Sequence, residues 1–274
     1  MFSRWLLLVI TAACWAALPL MAPGQSLWTK PYESDRVTLE TLQPALETAE
    51  DEDVDFVTSA HFLSGSFLFT PQSAVVVDVP FAHYSATVSG DGQTDSIIGN
   101  PYLGLEVSTQ RRPLLLEAGV RLPVVSDASA ATNVGTGADF DRREAFDADR
   151  FAAHLIGNAR IATEDDFSFR LRGGPLLSVD TEGDDRADVI ALYSLQAWFE
   201  GNRFILGGGL TARTNTTGDG SFGERSAFHG SLSVIYDGAR LQPGLLIKTP
   251  FSASVRDIAP LTIGLSLSTS FWTE

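Results

Sequence analysis

Cysteine is nearly absent. Cys14 is the one present, and it lies in the N-terminal apolar stretch, so the rest of the chain has no disulfide framework. Long apolar runs are missing after residue 25. No later stretch approaches the ~20 apolar residues that a spanning helix needs, which excludes a helical membrane bundle. Basic residues are scarce. Lys and Arg number 19 against 34 Asp and Glu, a net charge of −15, and that balance argues against nucleic acid as a partner. His61, His83 and His154 fall on separate segments without zinc-ligand spacing. The mature chain holds no phosphate-cradling or dinucleotide motif, and no cofactor or metal is expected.

What is present begins with Arg4 and the run WLLLVITAACWAALPLMA, closed by Ala22-Pro23-Gly24. This predicts a secretory signal peptide over 1–24 and a mature chain from Gln25. A lipoprotein signal acylating Cys14 is the alternative. Ala12-Ala13-Cys14 fits it in part, but Thr11 is polar and the apolar run continues past the cysteine. Residues 25–34 then read as a periplasmic N-terminal segment, and the acidic stretch 44–55 as a solvated loop.

The most informative stretch is 97–123, IIGNPYLGLEVSTQRRPLLLEAGVRLP. It reads as two strands joined at Arg111-Arg112, with Val107 opposite Leu116 and Glu106 opposite Glu117. Ile97, Leu103, Leu105 and Val107 are expected on one face, with Tyr102, Glu106 and Ser108 on the other. Leu114, Leu116, Val120 and Leu122 likewise oppose Glu117 and Arg121. Strand side chains alternate, so the hairpin has a greasy face and a charged one. Such a pattern suits a sheet half-buried on a soluble core, or a membrane barrel with lipid outside and water inside.

The rest of the chain favours the barrel. Strand-like segments are predicted at 35–43, 56–70, 73–89, 97–109, 113–123, 150–163, 167–180, 187–200, 203–213, 225–236, 240–250 and 261–272. Short connections alternate with longer ones near 44–55, 90–96, 124–149, 181–186, 214–224 and 251–260. Short periplasmic turns and long outer loops are the habit of outer-membrane barrels. The expected fold over 25–274 is therefore all-β: a transmembrane antiparallel barrel of about twelve strands in the bacterial outer membrane. Its expected partners are membrane lipid, lipopolysaccharide and the barrel-assembly machinery, which reads a terminal amphipathic strand such as 261–272. Trp198, Phe199, Tyr236 and Trp272 are expected in an interfacial aromatic girdle.

Within 97–123, Gly99, Pro101, Leu103, Gly104 and Leu105, then Gly119, Leu122 and Pro123, resemble paired motifs of a family of outer-membrane transporters associated with a meta-cleavage pathway of phenol degradation. Asn100 stands where that pattern has an acidic residue, and Val124-Val125 where it has Thr-Gly. The resemblance covers about 27 residues and implies a β-barrel that passes aromatic or hydrophobic compounds.

Alternation also assigns a lumen face. Candidates for setting solute selectivity are Glu106, Glu117, Arg121 and His154, with Arg160, Arg170, Arg172 and Lys248; Asn158, Gln196, Arg203, Arg213, His229 and Ser231 share that face. Like charges meet at Glu106–Glu117 and Arg160–Arg170, so each pair needs opposite charge across the lumen. The residues then form either a packed network or a constriction favouring carboxylates and phenolates. The functional expectation is a pore or transporter for small molecules, not an enzyme. The alternatives are a structural or adhesive barrel, with 124–149 plugging the lumen or facing outward, and a lipid hydrolase using His229 and Ser231.

Overall fold

The computed structural model describes residues 35–45, 54–88, 91–109, 114–163, 166–182, 187–238 and 240–270. The expected signal segment with Cys14, residues 25–34, most of the acidic stretch, the expected Arg111-Arg112 turn, Phe271 and Trp272 lie outside the described residues.

Thirteen strand segments form one sheet. They are β1 (Arg36–Ala45), β2 (Val54–Thr70), β3 (Ser73–Val88), β4 (Asp91–Ile98), β5 (Tyr102–Ser108), β6 (Leu114–Arg121) and β7 (Arg150–Ala162). There follow β8 (Phe167–Asp180), β9 (Ala187–Glu200), β10 (Phe204–Asn215), β11 (Ser226–Tyr236), β12 (Leu241–Pro250) and β13 (Leu261–Ser270). All pairings are antiparallel, and β13 returns to β1 with Ser270 opposite Arg36, so the sheet closes on itself. β4 and β5 are two halves of one crossing, which makes a barrel of twelve. Short and long connections alternate as expected except between β3 and β4, where only two residues separate the strands; the rest give a short-turn end and a long-loop end.

Two details of the fourth crossing depart from the sequence reading. It starts at Asp91 rather than 97, so 90–96 is mostly strand and not loop. It is also interrupted. Ile98 lies opposite Phe81 and Tyr102 opposite Asp78, so four steps on this crossing match three on β3. The extra residue at Gly99-Asn100-Pro101 is a bulge, and a bulge inverts the alternation beyond it. Ile97 therefore pairs with Ala82 and packs inward, whereas Leu103, Leu105 and Val107 face out.

Inside and outside are reversed relative to a soluble sheet. Exposed apolar side chains ring the wall, among them Leu39, Leu63, Leu171, Leu195, Leu232 and Leu265. The largest fully buried side chains include Arg121, Arg172, Gln196, Glu40 and Glu117. An apolar exterior around a charged interior is stable only with hydrocarbon outside, which decides between the two homes of the pattern.

At the short-turn end Phe199 packs on Phe167 (5.0 Å between ring centres) and Tyr236 on Phe204 (5.6 Å), an outward aromatic belt. Trp198 is not part of it. The alternation turns it inward, where it is 2% exposed and its indole donates to Gln196. Arg203 is also misplaced by the sequence reading: it precedes β10 and is exposed at the turn instead of facing the lumen.

Candidate functional site

The loop between β6 and β7 does not stand out in solvent. It folds back through the long-loop end and fills that part of the lumen. Its helix, Ala130–Ala138, starts at a reciprocal cap between Ser129 and Thr132. Asp95 of β4 reaches in and accepts from the Ala131 amide at 3.0 Å, placing a carboxylate at the positive end of the helix. A 3₁₀ turn, Phe140–Ala145, follows.

One side of this plug is apolar. Ala131, Ala138, Ala145 and Phe146 pack on Leu42, Ala60, Phe62, Ala82 and Leu246 of the wall. Phe146 meets Phe62 edge to face at 5.8 Å. The approach is close enough that a Cβ on Gly99 would lie 2.2 Å from the Ala145 carbonyl oxygen, so no larger residue fits there without displacing the plug.

The other side is held by charge. Lys248 Nζ donates to Asp139 Oδ1 at 2.6 Å and lies 2.7 Å from Asp141 Oδ2. Arg142 donates to Asp139 at 2.6 Å and to Glu40 at 2.6 Å, and its guanidinium stacks 3.5 Å from the centre of the Phe62 ring. Arg213 donates to the Phe140 carbonyl at 2.8 Å and to the Glu144 carboxylate. All these charged groups are buried, and each anion faces at least one cation, as burial demands.

Asn100 fastens both ends of the plug with one side chain. Its Nδ2 donates to the carbonyls of Glu144 (3.0 Å) and Asp147 (2.7 Å). Its Oδ1 accepts from the amides of Val124 (2.8 Å) and Val125 (2.9 Å). That uses both donors and both lone pairs of the amide.

The residues singled out in the sequence fall into two groups. Lys248 and Arg121 serve the plug: Arg121 donates to the Asn100 carbonyl at 2.9 Å and to Asp78 at 2.7 Å. The others line the wall. Glu117 pairs with Arg172, and Arg160 with Glu200 at 2.5 Å. Glu106 and Arg170 are buried beside them, opposite Glu117 and Arg160 respectively, so the like-charged neighbours are offset as electrostatics requires. His154 packs edge-on to Tyr102 at 5.4 Å. His229 and Ser231 both face in, but no hydrogen bond joins them among the described residues. His229 Nδ1 lies 3.7 Å from Asp141, and Ser231 donates to the Gly209 carbonyl at 3.4 Å.

Sequence reasoning did not single out Glu40, Asp78, Asp95, Asn100 or Glu144 for this site; it placed Asp139, Asp141 and Arg142 in a loop that either plugs the lumen or faces outward, and the structure shows the plug. The parity that gave Glu106 its lumen face gives Glu40 and Asp78 theirs. Nothing local marks the loop acids as buried.

Above the plug is a vestibule of about 530 Å³ lined by Phe140, Arg143, Asp147, Arg150, Asp188 and Arg225 among others. Arg143 pairs with Asp147 and Arg150 with Asp188, leaving a mouth of mixed charge with an aromatic ring at its base.

Two plug carboxyls depend on these cations. Burial disfavours the Asp139 anion, but Lys248 and Arg142 outweigh it and hold the group well below the usual carboxylate range. Glu144 is likewise lowered, burial being outweighed by Arg213. Asp147 goes the other way, raised by burial against Arg143. A lowered carboxyl stabilises the docked plug fully above its ordinary pKa of ~4, and that stability is lost as pH falls through the lowered value. The raised Asp147 acts in the opposite sense, its protonation favouring docking as pH falls toward ~4; the conductance of bilayers carrying the barrel is therefore expected not to rise between neutral pH and about 4 and to rise in stronger acid, which bilayer recordings across that range check.

The geometry defines an outer-membrane β-barrel with an internal stopper, and with it a place in the bacterial outer membrane. Solved structures share the fold. A crystal structure of an outer-membrane channel from Pseudomonas putida F1 superposes with a TM-score of 0.57 at 13% identity, covering 91% of this chain and 99% of that one. The translocator domain of the autotransporter NalP from Neisseria meningitidis gives 0.52 at 9% identity, over 89% and 91%. The NanC porin gives 0.50 at 10% identity, over 88% and 100%. No protein-family model and no curated protein matches the sequence.

Proposed function

We propose that the chain is a pore for small molecules, gated by its own β6–β7 loop, with small aromatic acids among its solutes. The observation that carries this reading is the stopper itself. It is fixed by side-chain ion pairs and one asparagine clamp, all reversible, inside a lumen whose wall is charged. The vestibule supports the solute class, because Phe140 lies 5.4 Å from both the Arg143 and Arg213 guanidinium carbons and presents a ring beside cations. The resemblance to transporters associated with phenol degradation points the same way. The barrel neighbours that are channels and porins fit this use of the fold.

Liposomes carrying the refolded protein test it, with ions, a sugar and a phenolic acid assayed separately. Faster flux of the phenolic acid than of a sugar of equal size is expected, and equal rates would discard the aromatic preference. The wall pair gives a second measurement. Glu117→Gln removes a carboxylate that pairs with the buried Arg172, so the reversal potential in a salt gradient is expected to move toward anion preference.

A further inference from the structure

The outward faces of β1, β2 and β3 carry a cluster that the pore does not use. Thr41, Ser59, His61 and His83 project from the wall rather than into the lumen, in a sheet whose outward positions are otherwise largely apolar. Ser59 Oγ is 3.0 Å from His61 Nε2, and His61 Nδ1 is 3.0 Å from Thr41 Oγ1. In the tautomer with the proton on Nδ1, Thr41 accepts from the imidazole, and Nε2 is the acceptor facing the serine hydroxyl. That is the nucleophile–base–orienter order of a hydroxyl nucleophile. His83 stands directly across from Ser59 in the β2–β3 register. Its Nδ1 is 2.8 Å from Ser96 Oγ. With Ser96 donating there, the His83 proton is on Nε2, available to an oxyanion formed beside Ser59.

We propose that this cluster is an acyl-ester hydrolase centre on the outer wall, acting on the ester-linked chains of membrane lipid. Its surroundings name the substrate class. Leu63, Phe81 and Leu265 flank it and are 50%, 37% and 60% exposed, all on the face that hydrocarbon covers. His61 lies opposite both Thr41 and Phe81, with its ring 5.8 Å from the phenyl. A chain lying against those side chains brings its ester to Ser59. In the first step Ser59 Oγ bonds to the ester carbon while its proton passes to His61 Nε2; the alkoxide leaves with that proton as the C–O bond breaks. In the second, water bonds to the acyl carbon and gives a proton to His61 Nε2; the acyl–serine bond breaks as His61 returns that proton to Ser59 Oγ, releasing the fatty acid. No oxidant, reductant or metal is needed. Ser59 and His61 are catalytic residues here, His83 stabilises the oxyanion, and Thr41 is a positioning residue.

The test uses the full refolded barrel in mixed micelles, with folding checked by heat-modifiable gel mobility. A fluorophosphonate is expected to label the wild type, and Ser59→Ala to abolish labelling. His61→Ala is expected to lower the rate by roughly 10²–10⁴-fold. Ser231→Ala, in the lumen, should leave labelling unchanged. Fatty-acid release is measured in one arm from phospholipid and in another from lipopolysaccharide; release in either supports the centre and identifies the ester. Thr41→Val should lower kcat without changing KM, and Thr41→Ser should restore it. Folded protein that neither takes the label nor releases fatty acid overturns the proposal, as does release undiminished in Ser59→Ala.

Discussion

Lys248→Met is expected to open the pore. The wild-type ammonium bridges Asp139 and Asp141, both carboxylates fully out of solvent. Methionine keeps the volume and removes the charge. Asp139 then retains Arg142 as its one cation, with the Asp141 amide donating at 3.2 Å, and Asp141 is left with the Thr211 hydroxyl at 2.9 Å and a histidine beyond hydrogen-bond reach. Stranding a buried charge in this way costs about 3–5 kcal/mol. With ~1.4 kcal/mol per factor of ten, the docked-to-undocked ratio falls by roughly a hundred- to several thousand-fold. Single-channel recordings should show a small, steady conductance in the wild type and a larger one in the variant. Adding Asp139→Asn and Asp141→Asn removes the stranded charge and should restore the small conductance. Identical traces from wild type and Lys248→Met would mean that the plug is held by its apolar side instead.

The second large effect is expected at Asn100. Asn100→Asp keeps the shape and one half of the clamp, since a carboxylate still accepts from Val124 and Val125. The other half inverts. Two oxygens now face the carbonyls of Glu144 and Asp147, where the amide donated. Two lost hydrogen bonds and a buried charge aimed at acceptors should cost about 2–4 kcal/mol of docking. Hydrogen exchange over 122–149 should quicken by roughly 1.5 to 3 orders of magnitude, with the strand amides unaffected. Asn100→Ala, which loses all four bonds without adding charge, separates bond loss from repulsion. Exchange as slow as in the wild type for both variants would rule out the clamp.

The contrast between what the sequence disclosed and what it hid follows from range. Each strand writes its own orientation in a two-residue period, so Leu103, Glu106, Glu117 and Leu265 could be assigned to a face from neighbours alone. Gly99-Asn100-Pro101 could not. The sequence reading ran them into one continuous strand from 97, while the register with β3 makes them a bulge that turns Ile97 inward. The plug was legible only as one of two fates of the 124–149 loop. Arg142 meets Glu40 and Asp139 meets Lys248, partners separated by 102 and 109 residues. A loop carrying Asp, Glu and Arg looks solvated until those partners are known. Trp198 misled for a related reason. Aromatics favour strand ends on either face, and only parity, counted from a correct strand start, distinguishes the lipid belt from the lumen.

The placement of those two long-range pairs bears on how the molecule is built. Glu40 is on β1 and Lys248 on β12, and the join between the first and last strands, β1 with β13, runs between them. Asp139 and Arg142 link the two sides, so the stopper acts as a rivet across the one junction of the sheet that forms between chain ends. Docking and undocking of the loop through the open long-loop end therefore also clamp and release that junction, and a chain whose loop is undocked is left with its junction unriveted.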